Sequence, residues 1–165
     1  MNRFDSRAFR NALGSYTTGV AVITTGTQDG SAAGLTINSF ASVSLDPPLV
    51  LWSLSLYSLS LPAFQNCSHY AINVLAQDQQ ALSQRFAVTQ PDKFAGLDFT
   101  LGTAGVPLLP GCCAWFECRN ETHHAGGDHL IFVGQVESFA RSDRPPLVFQ
   151  GGQYRQLGPS LNGQS

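Results

Sequence analysis

Residues Gly34–Phe64 read GLTINSFASVSLDPPLVLWSLSLYSLSLPAF. Two β-like runs, GLTIN and PLVLWSLS, stand on either side of Asp46-Pro47-Pro48. That segment reads as a turn, since a residue before proline is pushed to extended backbone and cannot continue a helix. Serines recur at 39, 42, 44, 53, 55, 58 and 60, with Thr36 and Asn38 among them. Hydroxyls this dense beside core-building strands have two explanations. They cap turns and a helix start, or they line a site for a polar-edged ligand. Composition leaves both open.

Working outward, VAVITT (20–25) and AAGLTIN (32–38) read as strands. GTQDGS between them reads as a turn in which Gly30 suits a positive φ. PLVLWSLS reads as a near-continuous buried strand. Ser60 ahead of Pro62 marks a short helix start, HYAINVL (69–75) a strand, and QDQQALSQRFA (77–87) a helix with Leu82 and Phe86 four apart. On the N-terminal side, DSRAFRNALGSYTTG gives an amphipathic helix. Asp5 or Ser6 caps it, and Phe9, Leu13 and Tyr16 recur at i, i+4 and i+7. The later strands are CAWFECRNE, HLIFVGQVESF and PLVFQGGQYRQL. Six or seven strands against two or three short helices, without β-α-β alternation, predict a mainly β protein: an antiparallel barrel with a few peripheral short helices. One domain over residues 1–165 is expected, with a frayed tail over about 159–165.

Charged residues make up 12% of the chain and apolar residues 43%. So little charge with so much apolar content predicts that some surface is buried in an oligomer. A net charge of −2 without a basic run argues against nucleic acid as a partner. The first residues lack the apolar core of a signal peptide, and the longest apolar run, PPLVLW, is far short of a membrane span. A cytoplasmic protein with reduced thiols and no membrane partner is expected.

Cys112, Cys113 and Cys118 lie close in sequence to His123, His124 and His129, which raises the question of a metal. If CCAWFECR alternates as a strand, Cys113 and Cys118 face opposite ways, and Cys112 and Cys118 sit roughly 20 Å apart. One zinc ion cannot hold either pair, so these thiols are expected to pack the core, with no metal. No dinucleotide fingerprint, P-loop, H-E-x-x-H or G-x-S-x-G is present. Asp128 and His129 are neighbours, and on one strand they would point to opposite faces. What remains is a lining of short hydroxyls and amides around apolar walls. It suits a planar cofactor with a phosphate: ring on apolar groups, edge on backbone N–H, phosphate on serines and a helix start.

Five segments in register then carry a resemblance: FRNALGSYTTGVAVITT, GLTINSFASVSLDPPLVLWSL, DKFAG, GGDHLIFVGQVE and PLVFQGGQYRQL. Over about Phe9 to Leu157 the chain closely resembles the flavin reductase-like family. These are the small reductase components of two-component flavin monooxygenases, aromatic hydroxylases included. The resemblance implies an antiparallel split β-barrel that binds FMN or FAD non-covalently as a homodimer, with the flavin near the subunit interface. It implies NADH or NADPH as co-substrate and a partner monooxygenase reached by diffusion of reduced flavin. By position, Thr36, Ile37, Asn38 and Ser39 match the strand end that meets the isoalloxazine edge. Ser53, Leu54, Ser55, Ser58 and Ser60 fall in the loop that holds the ribityl chain and phosphate, and Arg85 and Phe86 match the helix end beside that phosphate. Gly127, Asp128 and His129 match the nicotinamide side, where His129 is the catalytic candidate. Tyr154 falls near the entry of the pyridine nucleotide.

The phosphate loop departs from the family in having Leu56 where relatives often carry a basic residue, which leaves Arg85 as the main cation expected there. Each candidate also has a structural explanation. His129 suits a hydrogen-bonded strand end, Arg85 a cation at a helix C-terminus, and Tyr154 a half-buried barrel aromatic. Of the alternatives, an FMN-binding electron-transfer or storage protein ranks above an apolar-ligand or haem binder, which leaves the serines unexplained.

Overall fold

The computed structural model describes residues 4–26 and 29–161. Strands β1 (Thr18–Gly19), β2 (Ala21–Gly26), β3 (Ala32–Ile37), β4 (Ala41–Leu45), β5 (Pro48–Ser55) and β6 (His69–Val74) come first. They are followed by β7 (Thr100–Leu101), β8 (Pro107–Leu108), β9 (Ala114–Gly126), β10 (His129–Arg141), β11 (Val148–Gln150) and β12 (Gln153–Arg155). The helices are α1 (Ser6–Gly14), α2 (Leu61–Asn66) and α3 (Gln80–Ala87). Seven strands form one antiparallel sheet in the order β3-β2-β6-β9-β10-β5-β4, and β1-β11-β12 form a smaller one. The outer strands of the large sheet, β3 and β4, follow each other in sequence, and no ladder joins them. The large sheet is therefore open between these two strands. Beside this opening, the Ser39 hydroxyl donates to the Ser53 carbonyl (3.2 Å) and accepts from the Ser53 N–H (3.0 Å).

Two apolar clusters explain the burial pattern. Trp52, Phe64, Tyr70, Phe132, Ile23 and Ile72 fill the first, with the Trp52 ring stacked on Phe132 at 4.3 Å. Val22, Leu75, Phe86, Leu109 and Leu147 belong to the second. Because β2 lies between the clusters, successive residues Ala21–Thr25 are all buried, and β6 is buried nearly as fully. The expectation of a doubly buried PLVLWSLS is thereby corrected. In β5 burial alternates, with Val50, Trp52 and Leu54 inside and Leu49, Leu51 and Ser53 half-exposed. Polar Thr24 and Asn73 are tolerated between the clusters because each is bonded. Asn73 Nδ2 donates to the Val22 carbonyl (3.0 Å), and Thr24 Oγ1 donates to the Pro107 carbonyl (2.5 Å).

Three boundaries differ from the sequence expectation. PLVFQGGQYRQL is a hairpin rather than a strand, because Gly151 and Gly152 take φ of +60° and +76° and turn β11 back as β12. Strand β4 was not foreseen, its ASVSL run having been assigned to no element. Strand β9 runs five residues past Glu121 to a turn at Gly127 (φ +68°). Helix α1 is capped by Asp5 as expected, its carboxylate accepting from the Arg7 and Ala8 N–H groups. The apolar face of this helix is uncovered in the single chain, with Phe9 49% and Leu13 58% exposed, and the helix ends at Gly14, before Tyr16. In the GTQDGS turn Gly30 has its positive φ (+82°), while Thr27 and Gln28 lie outside the described residues, as do 162–165 of the expected tail. Cys112 and Cys118 are buried in different clusters, and burial pushes both thiols up to about 12. Among the described residues no His, Cys, Asp and Glu group could hold a metal.

Candidate functional site

Two adjoining depressions lie beside β3, sharing Thr36 and Ala87. One, about 290 Å³, opens between residues 57–60 and the chain leaving α3; Thr36, Ser58, Ser60 and Lys93 supply polar groups, and Leu35 and Val88 apolar ones. The other, about 190 Å³, lies under the β11–β12 hairpin between Asn38, Ser83, Phe149 and Tyr154. A third cavity of about 950 Å³ sits beyond the 91–96 segment, lined by Cys67, His69, Asp92, Phe94 and Phe99 among others. It is larger but meets none of the candidate site residues named from the sequence.

Local structure explains how the smaller pair acquires its polarity. The large sheet ends at β3, so Asn38–Phe40 lie outside both flanking ladders. Thr36 Oγ1 donates to the Ser83 carbonyl of α3 (2.6 Å), which fixes the helix against the strand. Ser83 Oγ shares a hydrogen bond with the Tyr154 hydroxyl (2.8 Å), and Tyr154 packs edge-on against Phe149. In the serine loop, Ser55 Oγ accepts from the Tyr57 N–H (3.2 Å) and Ser58 Oγ from the Ser60 N–H (3.3 Å). Those two therefore do cap turns, yet each keeps its hydroxyl proton for another acceptor. Ser60 precedes α2 without capping it and lines the cleft instead.

The cations depart most from expectation. Arg85 Nε donates to the Lys93 carbonyl (2.6 Å) and Nη2 to the Ala95 carbonyl, so the guanidinium is turned onto the 93–95 segment. Half-buried Lys93 faces the cleft, its ammonium donating to the carbonyls of Gly34 (3.1 Å) and Phe86 (2.9 Å). Desolvation holds its pKa below the usual lysine value. Lys93, in the DKFAG segment, is the one lysine in the chain, and no sequence pattern marks it as a site residue.

Asp128 and His129 also correct an expectation. Asp128 lies in the turn and β10 begins at His129, so strand alternation does not separate them. His129 Nδ1 and Asp128 Oδ1 are 2.7 Å apart, and this hydrogen bond holds the Asp128 carboxyl below the usual range. His129 pairs across the ladder with Ser55, and the Leu56 N–H donates to the Asp128 carbonyl (2.9 Å), which joins this turn to the serine loop. The cleft thus gathers Thr36, Ile37, Asn38, Ser58, Ser60, Phe86 and Tyr154. Ser55, Asp128 and His129 form a separate group beside the loop. The Ser39 hydroxyl is spent on the Ser53 backbone, and the Leu54 side chain belongs to the core.

Against known families, residues 13–158 match the flavin reductase like domain. The chain belongs to the flavin reductase-like family. It is 51% identical over 150 residues to the FMN reductase (NADH) SmoA of Agrobacterium fabrum, covering 91% of this chain and 85% of that one. It is 43% identical to the flavin-dependent monooxygenase reductase subunit HsaB of Rhodococcus jostii, over 94% of this chain and 80% of the relative. Among solved structures, the NADH:FAD oxidoreductase SgcE6 of Streptomyces globisporus, in complex with NAD and FAD fragments, superposes with a TM-score of 0.90. It shares 34% identity over 98% of this chain and 99% of that one. The mainly β, antiparallel fold is thus shared with solved flavin reductases, and the depressions beside β3 are the candidate site.

Proposed function

We propose that this flavin reductase-like chain is an NAD(P)H:flavin oxidoreductase that delivers reduced flavin to a separate monooxygenase. The observation that carries it is the joined cleft beside β3, where hydroxyls, ladder-free backbone and apolar walls meet. This donor set fits a phosphorylated flavin. Leu35, Val88 and Phe149 offer apolar surface, residues 36–39 offer amides at one end, and Ser58 and Ser60 offer hydroxyls at the other. A bound flavin would supply the hydride-accepting chemistry, so the protein would need no nucleophile of its own.

The chain's work is positioning. Thr36, Ile37, Asn38 and Ser39 present the strand end to the ring edge, where amide dipoles favour the negative charge of the reduced state. The Ser39–Ser53 clasp keeps that end fixed. Ser55 ties the loop in which Ser58 and Ser60 hold the ribityl phosphate, and Phe86 backs the cleft. His129, oriented by Asp128, holds the nucleotide carboxamide, and Tyr154 borders its entry. NADH and FMN are favoured, the pair named for SmoA. A homodimer covers the exposed face of α1, consistent with the sparse surface charge. No helix of the described residues is long and apolar enough to cross a membrane. With four free thiols we place this domain in the cytoplasm.

The test is NADH oxidation by purified protein with FMN, with FAD and with neither. Turnover that requires added flavin is expected, faster with FMN. Bound flavin without NADH or NADPH oxidation would leave a flavin-binding electron carrier, and the roles of His129 and Tyr154 would fall.

A further inference from the structure

Lys93 is the only lysine in 165 residues, and the fold puts it in the cleft that Ser58 and Ser60 line. Among the described residues no other charged side chain lines either depression. Its environment is unusual for a cation. Arg119, Arg141 and Arg144 each meet a carboxylate, whereas no described carboxylate lies within ion-pair distance of Lys93. An ammonium that loses water without gaining a counter-ion is held at a cost. Such a group is suited to an anion that arrives from outside.

We propose that Lys93 is the cation that meets the phosphate of the bound flavin, and that Arg85 is a positioning residue for it. The proposal rests on the flavin reading of the cleft. Of the three ammonium donors, two are directed to the Gly34 and Phe86 carbonyls, which pin the group between the β3 edge and the end of α3. One donor remains. Arg85 grips the Lys93 carbonyl from behind and the Ala95 carbonyl beside it, and Asp92 Oδ1 accepts from the Phe94 N–H (3.0 Å). The lysine's backbone is thus held on both sides. This arrangement supplies the charge that the serine loop, with Leu56, lacks. It also makes the site select for phosphorylated flavins over riboflavin.

A purely structural role exists for comparison: a cation near the last carbonyls of α3 favours that helix end by itself. The two roles separate in the ratio of riboflavin to FMN dissociation constants, measured by quenching of flavin fluorescence. Loss of a charge-assisted hydrogen bond is expected to weaken FMN binding by roughly tenfold to hundredfold in Lys93→Met. Riboflavin binding should stay within about twofold, because no phosphate is involved. Lys93→Arg should keep most of the FMN preference. Arg85→Gln should lower the ratio, and adding Arg85→Gln to Lys93→Met should not lower it further. A wild-type ratio in Lys93→Met overturns the proposal, and a wild-type ratio in Arg85→Gln overturns the positioning role. Failure of the wild-type protein to bind FMN or riboflavin would instead remove the flavin reading itself.

A second measurement needs no variant. With one ε-amine in the chain, acetylation at Lys93 can be followed by mass spectrometry on the native protein. FMN should slow it, and riboflavin at matched occupancy should slow it much less. Equal protection by both flavins would mean that the ring, not the phosphate, lies over the amine, and would overturn the assignment.

Discussion

The 91–96 segment stands between two very different spaces. On one side is a cavity of about 950 Å³ with Asp92, Phe94 and Phe99 on its wall; on the other is a cleft of about 290 Å³ with Lys93 on its wall. The larger has more room, but its polar groups are mostly committed within the fold. Thr25 Oγ1 donates to the His69 carbonyl (2.8 Å), and the His69 ring nitrogens meet Ser68 and Glu137. The smaller adjoins the open edge of the large sheet, where backbone leaves its ladders and hydroxyls keep protons to give. Size therefore does not mark the site. Uncommitted donors beside apolar walls do.

The most damaging way to break this contrast is at the wall itself. A Cβ on Gly34 would stand 2.6 Å from Phe86 Cε1 and 3.2 Å from Phe94 Cζ. Both rings are buried and pack together edge-on at 5.0 Å, so neither can simply swing away. Gly34→Ala is expected to destabilise by about 1–3 kcal/mol through overpacking. For a chain of this size that is a fall in Tm of about 2–4 °C per kcal/mol. Because Phe86 backs the cleft and Lys93 bonds the Gly34 carbonyl, FMN affinity should fall as well. Thermal unfolding and FMN titration check both; an unchanged Tm would mean that the rings have room to shift.

A smaller effect sharpens the same contrast. Ser58→Ala with Ser60→Ala removes two hydroxyls from the cleft. Each is worth about 0.5–1.5 kcal/mol as a net hydrogen bond, so FMN should bind roughly tenfold more weakly. Asn66→Ala with Phe99→Ala, in the larger cavity, should leave FMN binding within about twofold. Equal losses in the two pairs would move the flavin site out of the cleft.

pH gives a third measure. The free protein loses the Lys93 charge as pH rises through a pKa lowered by desolvation, while a bound phosphate would hold the proton on. Binding then takes up a proton, so the FMN dissociation constant should rise with pH in that window and be flat below it. Lys93→Arg, whose guanidinium stays charged, should remove the rise. A wild-type profile with no rise, measured up to the ordinary lysine pKa, would count against a phosphate at Lys93.

Much of this was legible in the sequence, and the failures have physical causes. Periodicity and turn chemistry located α1, α3 and most strands, because Asp5, Gly30 and Pro62 act locally. Of the residues carried over from the family, Thr36, Ile37, Asn38, Ser58, Ser60, Phe86 and Tyr154 line the joined cleft, whereas Ser39, Ser53, Leu54 and Ser55 do not. Legibility ended where tertiary contacts decide. Arg85 and Lys93 are both basic residues near a helix end. Only the fold reveals that one serves the main chain of the other. Similarly, β5 reads as more apolar than β2, yet β2 is buried on both faces because it has a cluster on each. The Asp128–His129 hydrogen bond depends on Asp128 lying in the turn at the boundary of β10 rather than on the strand, where alternation would have turned the two side chains apart.

That boundary also sets the smallest expected effect. Asp128 and His129 are both exposed, at 75% and 44% of their side chains, so their hydrogen bond is screened and orients more than it stabilises. If His129 holds the nucleotide, His129→Ala should raise KM for NADH several-fold, an amount fitting one lost hydrogen bond, and leave the flavin dissociation constant nearly unchanged. Asp128→Asn keeps an acceptor oxygen at the same place, so it should raise KM by no more than about twofold. The ordering of the two variants carries the argument. A histidine that contacts the nucleotide must cost more than the residue that merely orients it. Should Asp128→Asn prove as harmful as His129→Ala, the carboxylate itself would be the group that meets the nucleotide, and His129 would be its support. Should His129→Ala harm flavin binding as much as KM, this turn would be acting through Ser55 and the serine loop, and the boundary between cleft and rim would disappear.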